Sequence, residues 1–216
     1  MTRAPSARKG VRPEDKDYRS YSFWLETSGE ELAPRPSLPG PVEADVAILG
    51  AGFTGLWTAY YLLAREPSLK VVVLEAEVAG FGASGRNGAW CSSGFPVGPG
   101  ELQRRFGREA TRELLTEMRG AVEEVDRVAR EEEIDAQYFR GGLLRVARGP
   151  SQLPGIREAY ESLRGLGLED GLRLLDADET AGRVRITGAR GALFNPHCAT
   201  IQPARLARGL ARAVER

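Results

Sequence analysis

The chain has 216 residues, is 42% hydrophobic, and carries 30 basic and 30 acidic side chains for a formal charge of zero. That length can bury the core of one or two domains, and the balanced charge gives no electrostatic ground for nucleic acid or a membrane surface as a partner. Cys91 and Cys198 lie far apart with no CxxC or metal-type spacing, and the N-terminus has no apolar leader, so free thiols in a reducing cytoplasm and no metal site are expected.

Residues 1 to about 20 are charged, with prolines at 5 and 13, and read as a mobile arm. Tyr21, Phe23, Trp24 and Leu25 form an aromatic cluster that anchors the arm by packing. Pro34, Pro36, Pro39, Gly40 and Pro41 make a linker into the first strand, and the whole of 1–44 is assigned as N-terminal arm and linker.

Asp45 to Glu75 reads DVAILGAGFTGLWTAYYLLAREPSLKVVVLE, the pattern of a strand, a glycine turn, an apolar helix, a second strand and a terminal acid. The unalternating aliphatic runs suit parallel strands covered on both faces. Gly50 permits the tight turn, Gly52 removes a Cβ so that backbone can approach a pyrophosphate, and Gly55 lets the helix lie close on the sheet. The helix N-terminus presents N–H groups and a positive dipole end to phosphate. Glu75, at the end of the second strand, is placed to hydrogen-bond ribose hydroxyls and argues against a 2′-phosphate. Two other readings compete. Residues 46–64 are nearly as long and apolar as a membrane span, although three glycines and the following strand fit a βαβ unit better; and a βαβ unit can be purely structural.

After Glu75, Ala76 leads into GFGASGRNGAW (80–90), with four glycines among Ser84, Arg86 and Asn87. Such a loop is rich in backbone donors, with one fixed cation, and is suited to closing over the same dinucleotide. Residues 45–100 are therefore one nucleotide-binding section.

GAGFTGLWTAYYL, VVVLEA and GASGRNGA, in that order, resemble the N-terminal part of FAD-dependent amine and amino-acid oxidoreductases of the D-amino-acid oxidase superfamily, and SYSFWL ahead of them is similar to members of the gamma-glutamylputrescine oxidoreductase type. The resemblance covers roughly residues 20–216. It implies an α/β fold: a Rossmann-type FAD/NAD(P)-binding parallel sheet with part of a second α+β substrate domain. It also implies that Gly50, Gly52, Phe53 and Thr54 face the FAD pyrophosphate, that Glu75 and Ala76 lie at the adenosine ribose, and that Ser84, Gly85, Arg86, Asn87 and Gly88 run along the pyrophosphate toward the flavin. Ala89 stands where relatives often carry another glycine, and its methyl is expected to crowd the loop. The implied activity is oxidation of a C–N bond in an amine or amino acid by hydride transfer to FAD. No residue in the chain is assigned as catalytic base.

Glu101 to about Glu133 reads as one long amphipathic helix with Leu114, Leu115, Met118, Val122, Val125 and Val128 on one face and Glu131–Glu133 as its solvated end. A turn and then a strand over Tyr138–Arg148, with Leu143, Leu144 and Val146 apolar, a second helix over Gln152–Leu166 and a capped turn at Asp176–Thr180 follow, so that 101–189 forms a helical segment and partial substrate domain. Residues 190–216 return to the nucleotide-binding domain through a short strand, Gly191–Phe194, and a helix from Gln202 bearing Leu206, Leu210 and Val214. His197, the only histidine, reads as a turn residue at a sheet edge. A crossover helix of this kind ordinarily feeds a further parallel strand, so the sheet is expected to be incomplete and a C-terminal half encoded downstream to be needed. The alternatives are an NAD-dependent dehydrogenase unit on the same βαβ frame and a non-catalytic remnant that works beside a partner chain.

Overall fold

A computed structural model describes residues 12–216; the first eleven residues of the expected arm lie outside the described residues. In chain order the elements are α1 (Phe23–Glu26), β1 (Val46–Leu49), α2 (Phe53–Arg65), β2 (Val71–Leu74), β3 (Trp90–Ser92), α3 (Pro99–Phe106) and α4 (Arg108–Glu131). They continue with β4 (Leu143–Ala147), α5 (Leu153–Gly165), β5 (Arg173–Leu175), α6 (Ala177–Arg183), β6 (Gly191–Asn195), β7 (Cys198–Thr200) and α7 (Pro203–Glu215). They sort into two units, one of Met1–Gly88, Glu131–Ala136 and Gln202–Arg216, the other of Ala89–Arg130 and Gln137–Ile201.

In the first unit β1 and β2 pair in parallel, Val46 opposite Val71 through Leu49 opposite Leu74. The β-branched runs favour the extended backbone. Asp45 clips the pair at its start, its carboxylate accepting the Lys70 N–H at 2.8 Å. Leu56 and Ala59 of α2 are buried, and α7 packs against α2 through a face of small and aliphatic residues, Leu206, Ala207, Leu210 and Ala211. Gly209 lets α7 pass the 131–136 segment, since a Cβ there would stand 2.3 Å from Ile134 Cγ2. From Pro13 the chain is fastened to this unit: Tyr18 is buried, its hydroxyl donates to Glu77 at 2.8 Å, and Lys16 pairs with the same carboxylate. The last helix buries Leu206 and Leu210 as the spacing requires.

Cover on both faces of the first strand does not hold. Leu49 is 83% exposed and Ala47 is exposed, because among the described residues the parallel sheet has only two strands and nothing packs on that face. Unpaired strand edges and bare aliphatic side chains favour intermolecular pairing. The apolar span at 46–64 is divided between β1 and the thirteen-residue α2, and no helix among the described residues is long and apolar enough to cross a membrane.

In the second unit β4, β6 and β5 form an antiparallel sheet with β6 central, and β3 pairs antiparallel with β7. Ala147, Ile156, Leu172 and Leu193 form the core between the sheet and α5. Leu102, Leu115, Leu166 and Leu168 form a second cluster. The single helix expected over 101–133 is two: α3 and α4 are broken at Gly107, whose φ of 83° belongs to the left-handed region that ends helices. The α4 stripe buries Leu115, Val122 and Val128. Glu132 corrects the reading of a solvated acidic end, since it accepts the Tyr60 hydroxyl at 2.9 Å and pairs with Arg216. The turn at 176 is capped reciprocally, Asp176 accepting the Glu179 N–H at 2.8 Å and Glu179 accepting the Asp176 N–H at 3.0 Å.

The exposed sheet face generates a prediction. Leu49→Lys adds a charge to an already exposed position, so stability should change by less than about 0.5 kcal/mol, while self-association falls. Size-exclusion chromatography over a concentration series should show a larger monomer fraction for the variant than for the native chain.

Candidate functional site

The turn after β1 is a sharp corner whose geometry is set by its three glycines. Gly50 takes φ 97° and donates its N–H to Leu74 O at 2.7 Å. Gly52 is the extended N-cap of α2. A Cβ on Gly55 would lie 2.2 Å from Gly50 O and 3.1 Å from Ile48 Cγ2, so only a residue without one allows α2 to start this close to β1. The carboxylate of Glu75 ties the end of β2 back to this corner, accepting the Ala51 N–H at 2.7 Å on one oxygen and the Glu77 N–H at 3.0 Å on the other.

The segment after β2 repeats that construction. Gly80-x-Gly82-x-x-Gly85 has the spacing of Gly50-x-Gly52-x-x-Gly55, Gly80 takes φ 79°, and a Cβ on Gly85 would lie 2.2 Å from Gly80 O. The two corners are hydrogen-bonded together. Gly80 N–H donates to Ala51 O at 2.9 Å, and the Phe53 N–H at the head of α2 donates to Ser84 Oγ at 2.8 Å. Reading residues 76–90 as a loop rich in donors missed this second corner; the repeated glycine spacing was the available signal.

The other predicted residues divide by location. Gly50, Glu75 and Ala76 line one cavity of about 1080 Å³, together with Ala51, Val73 and the linker segment 34–38. Gly52, Phe53, Thr54, Gly55 and the residues from Ser84 to Gly88 do not line it; they form the paired corners at its side. Arg86 is exposed, its guanidinium stacked 4.6 Å from the centre of the Phe81 ring. The Asn87 side chain bridges back to Ala83 O at 3.2 Å and Ser84 O at 2.8 Å, which stiffens the loop. Ala89 is buried with φ 61°, a backbone that costs a residue with a Cβ about 1 kcal/mol; the strain of its methyl lies in its own dihedral.

The titratable groups of the second unit are tuned by burial. His197 is held below its ordinary range, first by desolvation and then by the Arg119 and Arg140 cations, with its Nε2 3.3 Å from Asp170 O. Burial, with a smaller contribution from Cys198, pushes the Cys91 thiol up to about 11. A neutral imidazole and two protonated thiols offer no activated nucleophile here.

Residues 45–216 match the family described as FAD dependent oxidoreductase. The chain belongs to that family. It is 33% identical over 193 residues to gamma-glutamylputrescine oxidoreductase of Escherichia coli, covering 89% of this chain and 44% of the relative. It is likewise 33% identical over 189 residues to a probable oxidoreductase, OrdL, of Rhizobium meliloti, covering 88% and 44%. The chain thus spans less than half the length of these relatives. A solved L-amino acid deaminase from Proteus myxofaciens has the same fold, with a TM-score of 0.64 at 20% identity over 87% of this chain and 39% of that one. The family is one of flavoproteins, and in this member the glycine corners are the parts whose geometry leaves least freedom.

Two measurements test that account. Gly55→Ala should lower stability by roughly 2–3 kcal/mol, because backbone oxygen cannot yield as a side chain can; Gly40→Ala, with nothing within 4 Å of the added methyl, should leave the melting temperature unchanged. Alkylation of Cys91 by iodoacetamide should be at least tenfold slower than that of a free thiol at pH 8, and should accelerate as pH approaches 11, because the thiolate appears only there.

Proposed function

We propose that this chain is the FAD-binding part of an oxidoreductase that oxidises a C–N bond of an amine or amino acid. The observation that carries the proposal is the pair of glycine corners, joined by the Gly80–Ala51 and Phe53–Ser84 hydrogen bonds, beside a cavity containing Glu75. These residues fit a dinucleotide. The corners expose backbone unobstructed by Cβ atoms, α2 heads its first turn with the Thr54 and Gly55 amides, and the cavity has room for a nucleoside with an acid on its wall. Bound FAD supplies the two-electron acceptor.

The chain's own residues bind and orient. Gly50, Gly52, Phe53 and Thr54 face the diphosphate, Glu75 and Ala76 the adenosine ribose, and Ser84, Gly85, Arg86, Asn87 and Gly88 the diphosphate on its flavin side. Arg86 reaches an anion by leaving the Phe81 ring, an exchange of one weak cation contact for a charge-assisted one. The relatives' names, a glutamylputrescine oxidoreductase and an L-amino acid deaminase, support a primary amine or α-amino acid as substrate class. The open sheet edges at Leu49 and Val73 are filled, in this proposal, by strands supplied from a longer polypeptide or a second chain, and the free thiols of Cys91 and Cys198 support a reducing compartment such as the cytoplasm.

Titration of the purified chain with FAD and with NAD, each followed by fluorescence, tests the reading. FAD should bind at least tenfold more tightly, and preferential binding of NAD would sink the proposal in favour of a nicotinamide-dependent unit. Glu75→Gln, which removes the charge and replaces one acceptor oxygen by an amide donor, should weaken FAD about tenfold or more, the effect expected from loss of a hydrogen bond to a charged group.

A further inference from the structure

The segment ahead of the linker is held by the second glycine corner over Lys16–Trp24 and by α7 over Trp24–Glu31, where Gln202, Arg205 and Arg208 donate to its carbonyls. Phe81, inside that corner, receives the edges of two tyrosines from the segment, Tyr18 with ring centres 5.5 Å apart and Tyr21 at 5.2 Å. Glu77, just ahead of the corner, holds Lys16 and the Tyr18 hydroxyl. Beyond these, two carbonyl oxygens of the loop are each taken by a donor from the segment. Ser22 Oγ donates to Gly85 O at 2.8 Å, and Trp24 Nε1 donates to Asn87 O at 2.7 Å. Trp24 is itself seated from behind, its carbonyl accepting Gln202 Nε2 of the α7 cap at 2.7 Å.

The planar trans peptide gives these contacts a consequence. The C=O and N–H of one peptide unit point in opposite directions. A carbonyl fastened on the segment's side therefore turns the next residue's N–H to the other side. For Gly85 that amide is Arg86 N–H, and it is consumed within the corner by Ala83 O at 3.2 Å. For Asn87 it is the amide of Gly88, an exposed glycine with nothing within 4 Å of where a Cβ would stand. An exposed residue without a Cβ lets an anion approach its backbone closely.

We propose that Trp24 is a positioning residue for the cofactor: its indole N–H fixes the Asn87–Gly88 peptide so that the Gly88 amide faces the diphosphate on its flavin side, with Ser22 holding the Gly85–Arg86 peptide upstream. This rests on the FAD reading above. Trp24 touches no reacting atom; it sets the direction of one donor, adding to the Asn87 side-chain bridges that stiffen the loop. The aromatic cluster of residues 21–25 thereby has a role beyond packing.

The test compares the native chain with Trp24→Phe, which keeps an aromatic ring and removes the donor, and with Phe106→Leu, a change at an exposed aromatic side chain of α3. FAD affinity is read from flavin fluorescence, AMP affinity from calorimetry, and fold stability from the melting temperature. Trp24→Phe should weaken FAD about tenfold, leave AMP within about twofold because AMP ends before the flavin side of the diphosphate, and shift the melting temperature by no more than about 3 °C; Phe106→Leu should match the native chain in all three. Unchanged FAD affinity in Trp24→Phe would overturn the inference, and so would a parallel loss of FAD, AMP and melting temperature, the mark of a purely structural contact. A native chain that binds AMP but not FAD would overturn the flavin reading itself, and the inference with it.

Discussion

The structure of the first unit depends on one steric condition: the carbonyl oxygen of Gly50 occupies the place a Cβ on Gly55 would need, 2.2 Å away. Because that place holds backbone, no rotamer change can relieve a substitution. The closeness is also what makes the corner useful. It brings the N-terminus of α2 to the end of β1 without an intervening side chain, so the helix dipole and the first-turn amides open at the carboxyl ends of the strands. Glu75 then reaches from the end of β2 to the Ala51 amide, and one carboxylate links the two strands across the corner.

The same steric condition recurs at Gly85 and Gly80, and the two corners act as one object. Ser84 supplies to the Phe53 amide the cap that α2 lacks from its own N-cap, which is glycine. A Cβ on Gly52 would stand 3.0 Å from that same Ser84 oxygen. Absence of a side chain on one loop therefore makes room for the hydroxyl of the other. The segment from Lys16 to Trp24 is built onto this pair by hydrogen bonds to Glu77, Gly85 and Asn87, which makes an apparently peripheral stretch part of the loop's architecture.

The sheet itself is the least finished part. Two parallel strands with an exposed Leu49 satisfy their mutual hydrogen bonds but cover little apolar surface, and parallel sheets owe their stability to layers on both faces. The first unit is held instead by α7 against α2 and by the polar clips at Asp45 and Glu75.

Much of this was written in the residue order. The strand–corner–helix–strand run from Asp45 to Glu75, the α5 and α7 helices, the β4 and β6 strands and the cap at Asp176 all follow from local patterns, because hydrophobic period, glycine conformational freedom and capping are properties of neighbours in sequence. The break at Gly107 was not legible, since the apolar spacing continues through it and the left-handed φ that parts α3 from α4 is a backbone choice. Strands β3, β5 and β7 have three residues each, too few for an alternation to show. Sequence alone thus determined which residues form the glycine corners and that an acid ends the second strand. Only the tertiary structure decided that Ser84 caps the first helix, that Glu75 spends its carboxylate on Ala51, and that Trp24 holds the Asn87 carbonyl, because each joins residues 24 to 63 positions apart, and no local pattern encodes which distant donor a given acceptor will meet.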